Sequence, residues 1–531
     1  MKKNNVKALT AGVLAAGLCL TTGGSALASE EKLDLTVFAS KPSTIEDLET
    51  NLFTEELEAA TNVHINWQLC TPDGLKEKKN VLFASGDYPD VLLNAALTKE
   101  EQMLYGEQGI LVPLNDLIEE NTVNLKQLLN DIDWLRNAIT SPDGNIYALP
   151  QINECYHCTL SQKMWINKTW LENLGLEMPT TTEEFENVLK AFKDQDPNGN
   201  GVADEIPLSG SITGWNTRVE NPLLCAFLYN DGSSSSYRVN LEDGKVSFAP
   251  SMDKFKEGLG WLASLYEQGL IDQAAFTQPV DQYKQVGMSE DAVIGVGVAG
   301  APIAFTQMGS ERMAEYVAVP PLTGPDGTCV TAYNPIGMDE GEFAITNANE
   351  HPVETIKWID YLYSHEGTMR AMEGREGEEW VVPEDGALGI NGEPAKWQRV
   401  RNADDVQNVV WQGIAIGAVT EDYRLSELAG QIGTSEGFEA FMYQETKDKY
   451  EGHQPEEYFP DVYILPEDLD EMAQIKGPLL DYVEQCSAKF ITGVMDLDGE
   501  WDSYVDYLGK LGVDSYVEIL QRAYDASSYS K

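Results

Sequence analysis

The stretch "DQDPNGNGVADEIP", residues 194–207, crowds Asp194, Asp196, Asn198, Asn200, Asp204 and Glu205 into one turn-rich segment broken by Gly199 and Gly201. Alternating oxygen-bearing side chains around a glycine are what a hard cation such as Ca²⁺ requires of a single loop. Two registers fit. One runs from Asp194 to Glu205 with Gly199 at the sharp turn, as in the EF-hand pattern. The other begins at Asp196 and takes Asn198, Asn200, the Val202 carbonyl, Asp204 and Glu205, with Gly201 at the turn. The second sets an oxygen at every ligating position, whereas the first puts Val202 where a water-holding residue usually sits. The metal set is therefore Asp196, Asn198, Asn200, Val202, Asp204 and Glu205. A sensor needs a second loop and a helix pair that opens, and the chain shows neither. An all-oxygen cage also leaves little room for substrate chemistry. The expectation is a structural Ca²⁺ clip.

Two further groupings bear on chemistry. In "ECYHC", Cys155, His157 and Cys158 stand together, but a zinc site needs a second ligand pair at suitable spacing, and none is visible. A local disulfide or a pair of buried thiols remains open. In "SGSITGWNTRVENP", Trp215 and Asn216 occupy a polar, glycine-bearing loop. A Trp there is either a lid over an apolar patch or a platform for a ligand's flat face, with Asn216 as a hydroxyl partner. Trp261 and Trp358 have helical spacing and apolar neighbours, and Trp501 lies among the terminal helices, so these three are expected in the core. No Ser-His-Asp order, nucleophile elbow or zinc motif is present, and the five histidines are scattered. With 87 acidic residues some carboxylate pair always looks suited to glycoside hydrolysis, so counting decides nothing. No enzyme activity is expected.

The elements that must hold these groups need more than one core, because 531 residues exceed what a single one supports. A balance of 36 basic against 87 acidic residues leaves a net charge of −51, which repels nucleic acid and anionic membranes. "MKKNNVK", then "ALTAGVLAAGLCL" and Ala26-Leu27-Ala28, form the three regions of a signal peptide, cut after Ala28. Export to the extracellular face follows. A lipid anchor on Cys19 is not expected, because Leu18 is too bulky for that processing site. The other six cysteines are too dispersed for a disulfide scaffold.

After residue 28 the pattern alternates strands with helices. "KLDLTVFAS" and "VHINWQLC" read as strands, "EDLETNLFTEELEAATN" as the helix between them, and "GNIYALPQI" as a strand leading away. That alternation predicts an α/β fold with a mostly parallel, doubly wound sheet. The stretch from Met164 to Gln195 reads as mainly helical. Thr181 and Glu184 form a capping box, and Phe185, Val188, Leu189 and Phe192 point to the core. "AVIGVGVAG" reads as a buried strand, and the chain ends in helices.

"WINKTWLENLGLEMPTTTEEFENVLKAFK" followed by "DPNGNGVADEIPL" resembles the signature of extracellular solute-binding proteins of carbohydrate ABC importers. Among them the chain is most similar to the large calcium-containing members typified by alginate-oligosaccharide binders. "SGDYPDVLL", "VPPLTGPDG", "FAITNANEHPVETIKWIDYLYS" and "GREGEEW" extend the resemblance over essentially all of the chain after residue 28. It implies a type II two-lobe, periplasmic-binding-protein-like fold with the ligand cleft between the lobes. On that fold, residues 29–155 and 341–395 make the N-lobe, and 156–340 and 396–531 the C-lobe. The resemblance also favours the Asp196 register of the calcium loop. It implies that Glu376 and Trp380 face the sugar, although Glu379 stands where an aspartate is usual. Asn167 stands where relatives often carry arginine, which with the negative charge points to a neutral oligosaccharide. The implied protein is a monomeric receptor that closes on its ligand and hands it to permease subunits. A secreted glycoside hydrolase and a peptide receptor on the same fold are the alternatives.

Overall fold

The computed structural model describes residues 32–232, 236–401 and 405–530. The expected signal peptide, 1–28, and Cys19 lie outside them.

Strands β1 (Leu33–Ser40), β2 (Val63–Cys70), β3 (Val91–Leu93) and β4 (Leu149–Asn153) come first. Next follow β5 (Met164–Asn167), β6 (Ile206–Ser209), β7 (Val239–Glu242), β8 (Lys245–Phe248), β9 (Ile294–Val298) and β10 (Tyr316–Val319). The last four are β11 (Met338–Ile345), β12 (Trp380–Val381), β13 (Gln398–Arg399) and β14 (Ala418–Val419). The first sheet has the order β14-β4-β11-β3-β1-β2, and the second β10-β5-β9-β6. Strands β7–β8 and β12–β13 form separate pairs. Each large sheet has its own core, so the molecule has two α/β lobes.

In the first sheet β1 is parallel to β2 and β3, as alternating strands and helices dictate. Strand β11 then enters antiparallel to both β3 and β4, because it returns from the second lobe instead of through a local helix. In the second sheet β6 and β9 are parallel, while β5 runs antiparallel to β9 and β10.

The stretch expected to be mainly helical starts with a strand. Met164, Trp165, Ile166 and Asn167 are all buried, Met164 and Ile166 in one core and Trp165 in another. A short strand covered on both faces has no polar alternation, so periodicity does not separate it from the helix that follows. That helix, Lys168–Leu174, starts where the Asn167 side chain accepts from Trp170 N at 3.1 Å. Asn167 also donates to Glu315 Oε2 at 3.0 Å and is fully buried. It is a helix cap and not a ligand contact.

Residues 396–531 do not all join the second lobe. Trp411 lies in the first core, with its ring 5.1 Å from Phe53 and 5.5 Å from Trp67 and its Nε1 donating to Thr54 Oγ1. Trp397 and Val419 pack with Met369 of the same lobe. Entry to the second lobe comes near Phe438, whose ring packs in the core that holds Trp165. Helices Leu469–Ile491, Leu497–Lys510 and Val513–Ala526 then close over the main second core. Trp501 and Trp358 are buried, and Trp261 is half-buried against Phe227.

Candidate functional site

The chain leaves the first lobe after β4 through the short helical turn Tyr156–Cys158, clasped by a Cys155–Cys158 disulfide. The bridge takes both sulfurs, so of the two readings left open the local disulfide is present and the pair of buried thiols is not. His157 is buried with Nε2 3.5 Å from Cys155 Sγ, and burial holds its pKa down at about 4. Fully buried Lys163 donates to the carbonyls of His157 and Leu160, and burial lowers it to about 7. These bonds fix the segment between, which carries Ser161 and Gln162.

From the end of β6 the chain makes the loop expected to carry ligand contacts. Ser211 N donates to Thr217 O at 2.9 Å, and Thr217 Oγ1 donates to Thr213 O at 2.7 Å, so the loop is closed on itself. At its tip Trp215 is 47% exposed, and its carbonyl accepts from Gly300 N at 2.9 Å. The ring rests on Gly300, where an added Cβ would stand 2.3 Å from Cε3. The ring is thus backed by Gly300 and meets the His157 ring edge-on at 6.5 Å while about half of it stays open, which is the arrangement of a platform rather than a core plug. Asn216 has a left-handed φ of 53° and donates from Nδ2 to Ser161 Oγ at 2.7 Å.

Trp215 and Asn216 line a cavity of about 520 Å³ together with Gln162, Arg218, Tyr333 and Glu484. Arg218 pairs with Glu484 at 2.8 Å, and Arg238 reaches the other oxygen of Glu484 at 3.3 Å. The cation on the cavity wall is therefore already neutralised, and Glu484 is held by two guanidinium groups instead of standing free as a base. Gln162 is 2% exposed, and among the described residues neither Oε1 nor Nε2 has a partner. A second cavity, of about 260 Å³, shares Asp231, Tyr333 and Asn334 with the first. Its far wall is Lys99 and Glu340 of the first lobe, so the smaller cavity lies at the seam between lobes and the larger one, lined by the second lobe, adjoins it. Lys99 there ion-pairs with Asp461, while burial pushes Glu340 up to about 7 against the pull of Lys99.

Glu376 and Trp380 line neither cavity. Both lie in the first lobe, where Trp380 Nε1 donates to Gly374 O at 3.1 Å and its strand pairs with Arg399. Glu376 is exposed beside it. Glu379 is tied to Arg375 at 2.8 Å, an internal bond that holds the turn. The structure thus brings Trp215 and Asn216 together and leaves Glu376 and Trp380 on a separate surface.

The helix Thr182–Asp194, opened by the Thr181–Glu184 capping box, delivers the oxygen-rich loop. Asp196, Gly199 and Gly201 all have positive φ, and Gly201 N donates to Asp196 Oδ2 at 3.1 Å. Asn200 donates to Asp204 at 3.2 Å, which gathers the loop on itself, while Val202 is exposed. Glu205 Oε1 is buried without a partner among the described residues. Burial, then Asp204 and Asp196, raise the Glu205 pKa. A buried carboxylate oxygen without a partner among the described residues, under the field of two neighbouring aspartates, fits a hard divalent cation.

Sequence reasoning passed over Gln162, Arg218, Tyr333 and Glu484. Arg218 was within reach, since it stands three residues after Trp215 in the same loop. Glu484, on a helix distant in sequence, offers no such signal.

Residues 42–369 match the family of bacterial extracellular solute-binding proteins. The chain is 32% identical over 512 residues to the fructooligosaccharide ABC transporter substrate-binding protein FusA of Streptococcus pneumoniae serotype 4, covering 93% of this chain and 90% of that one. A solved structure of FusA in complex with kestose superposes with a TM-score of 0.74 at 29% identity, covering 93% of this chain and 99% of that one. A FusA EF-hand mutant in complex with fructo-nystose gives the same TM-score, identity and coverage: 0.74, 29%, 93% and 99%. The alginate-binding protein AlgQ2 without calcium ion shares the fold, with a TM-score of 0.63 at 23% identity over 94% of this chain and 99% of that one. Among the described residues no helix is long and apolar enough to cross a membrane.

Proposed function

Because the chain belongs to the bacterial extracellular solute-binding protein family, we propose that it captures a neutral oligosaccharide by lobe closure and delivers it to an ABC permease. The observation that carries this reading is Trp215, a half-exposed indole braced on Gly300 above a polar cavity. Sugars present flat C–H faces rimmed by hydroxyls, so an aromatic platform beside amide groups is the matching surface. Neutrality follows from the Arg218–Glu484 pair, which leaves no unpaired cation on that wall for a uronate. FusA, bound to kestose in its solved complex, makes fructooligosaccharides the first class to test.

The protein binds without catalysis, acting as a monomer exported by residues 1–28. The lobes rock about the crossings after β4, before β11 and near Phe438, and about the Lys99–Asp461 contact. Glu376 and Trp380 lie on the first lobe and meet the ligand only on closure. Asp196, Asn198, Asn200, the Val202 carbonyl, Asp204 and Glu205 hold a structural Ca²⁺, which ties the end of the helix Thr182–Asp194 to β6. The FusA EF-hand mutant among the similar structures supports that assignment.

The test is thermal unfolding of residues 29–531 against neutral and acidic oligosaccharides, with the sugar analysed afterwards. Kestose raises the midpoint by mass action and is recovered intact. A midpoint moved only by peptides, or kestose returned as smaller sugars, refutes the reading.

A further inference from the structure

We infer that Gln162 is the residue that selects a hydroxyl-bearing, uncharged ring beneath Trp215, an inference that rests on the oligosaccharide reading above. Gln162 is 2% exposed, lines the Trp215 cavity, and has no partner among the described residues for either end of its amide. Keeping an amide out of water without a hydrogen bond costs on the order of 1–3 kcal/mol, so folded proteins seldom leave both ends unpaired. Its flanks are fixed. Ser161 accepts from Asn216 Nδ2 at 2.7 Å, and Lys163 donates to the His157 carbonyl at 3.0 Å. The side chain is therefore held at the cavity by its neighbours on both sides.

A carboxamide offers an acceptor and a donor side by side. Two hydroxyls on adjacent sugar carbons complement it, one donating to Oε1 and the other accepting from Nε2. A ligand carboxylate has no proton to give Oε1 and sets charge against its lone pairs. Arg218 does not compensate, because it is already engaged by Glu484. Gln162 thus reads hydroxyl pairs and disfavours uronic acids, while Trp215 supplies an aromatic face that either kind of ring can use.

The experiment measures kestose and trigalacturonate affinity by calorimetry, with unliganded melting temperature, for wild type and Gln162→Met, a variant of similar length. Removing a buried, unpartnered amide leaves the unliganded melting temperature unchanged or raises it, whereas a merely structural glutamine lowers it. Kestose affinity falls about tenfold or more. Should Gln162→Met fail to fold, Gln162→Leu is held to the same criterion. Kestose binding within about threefold of wild type overturns the inference. So does wild-type protein that binds trigalacturonate as tightly as kestose. A wild type that no neutral oligosaccharide stabilises removes the receptor reading and this inference with it.

Discussion

The indole of Trp215 rests directly on Gly300, so closely that a Cβ added to the glycine would stand 2.3 Å from Cε3 and 2.5 Å from Cδ2. The glycine is there for space, because any side chain would lift the platform off its support. Trp215→Ala is expected to lower kestose affinity about tenfold or more while barely moving the unliganded melting temperature, since the ring is half exposed. Gly300→Ala reaches a similar loss by displacing the ring, and also destabilises the fold by about 1–3 kcal/mol. Calorimetry and thermal unfolding on both variants check this. Full affinity in Trp215→Ala removes the platform.

The calcium clip is tested by removal. Orphaned Glu205 Oε1, with Asp204 and Asp196 beside it, is strained by like charge when no cation is bound. Chelation is expected to lower the melting temperature, because a cation at a hundred times its dissociation constant contributes about 2.7 kcal/mol. Asp204→Ala lowers it permanently and abolishes the response to chelator. An unchanged wild-type midpoint after chelation refutes the clip.

What the sequence disclosed and what it hid divide along the range of the interactions. The Thr181–Glu184 capping box and the inward row Phe185, Val188, Leu189 and Phe192 are local patterns, and all four apolar residues are buried. The five residues of β9 are buried together, as a continuous apolar run implies. Trp411 is different. It enters the first core because Phe53, Trp67 and Trp358 surround it, and all three are distant in sequence. Strand β5 escaped because its two faces belong to different cores. At the site, Trp215 was visible from its polar loop, whereas Gln162 is conspicuous only through the absence of partners, a property of three-dimensional packing.

Buried carboxylates predict a pH response. Burial, then Asp339, pushes Glu342 up to about 7, and its Oε2 has no partner among the described residues. The unfolded chain releases that proton near the ordinary value of about 4.3. Between those values the folded state binds more protons, so stability falls as pH rises and levels off once Glu342 is ionised in both states. Glu342→Gln is expected to be more stable than wild type by about 1–3 kcal/mol near pH 8, and nearly equal to it near pH 4. Denaturant unfolding across that range checks it. Glu340 and Glu427, also raised to about 7 by burial, retain part of the slope in the variant.

Glu376 offers the cleanest test of closure. It is exposed on the first lobe, while Trp380 is anchored through Gly374 and packs near Trp397 and Tyr423. If closure brings the 374–380 turn onto a ligand held beneath Trp215, Glu376 gains hydrogen bonds that exist only in the bound state. Glu376→Ala should then leave the unliganded melting temperature within about 1 °C of wild type and weaken kestose about five- to tenfold, chiefly through faster release. Trp380→Ala weakens binding too, but with a stability cost, because its ring packs against the first lobe. Stopped-flow dissociation on the two variants separates these effects. Unchanged release rates in both would confine the binding surface to the Trp215 side of the cleft and leave closure without a contact from this turn.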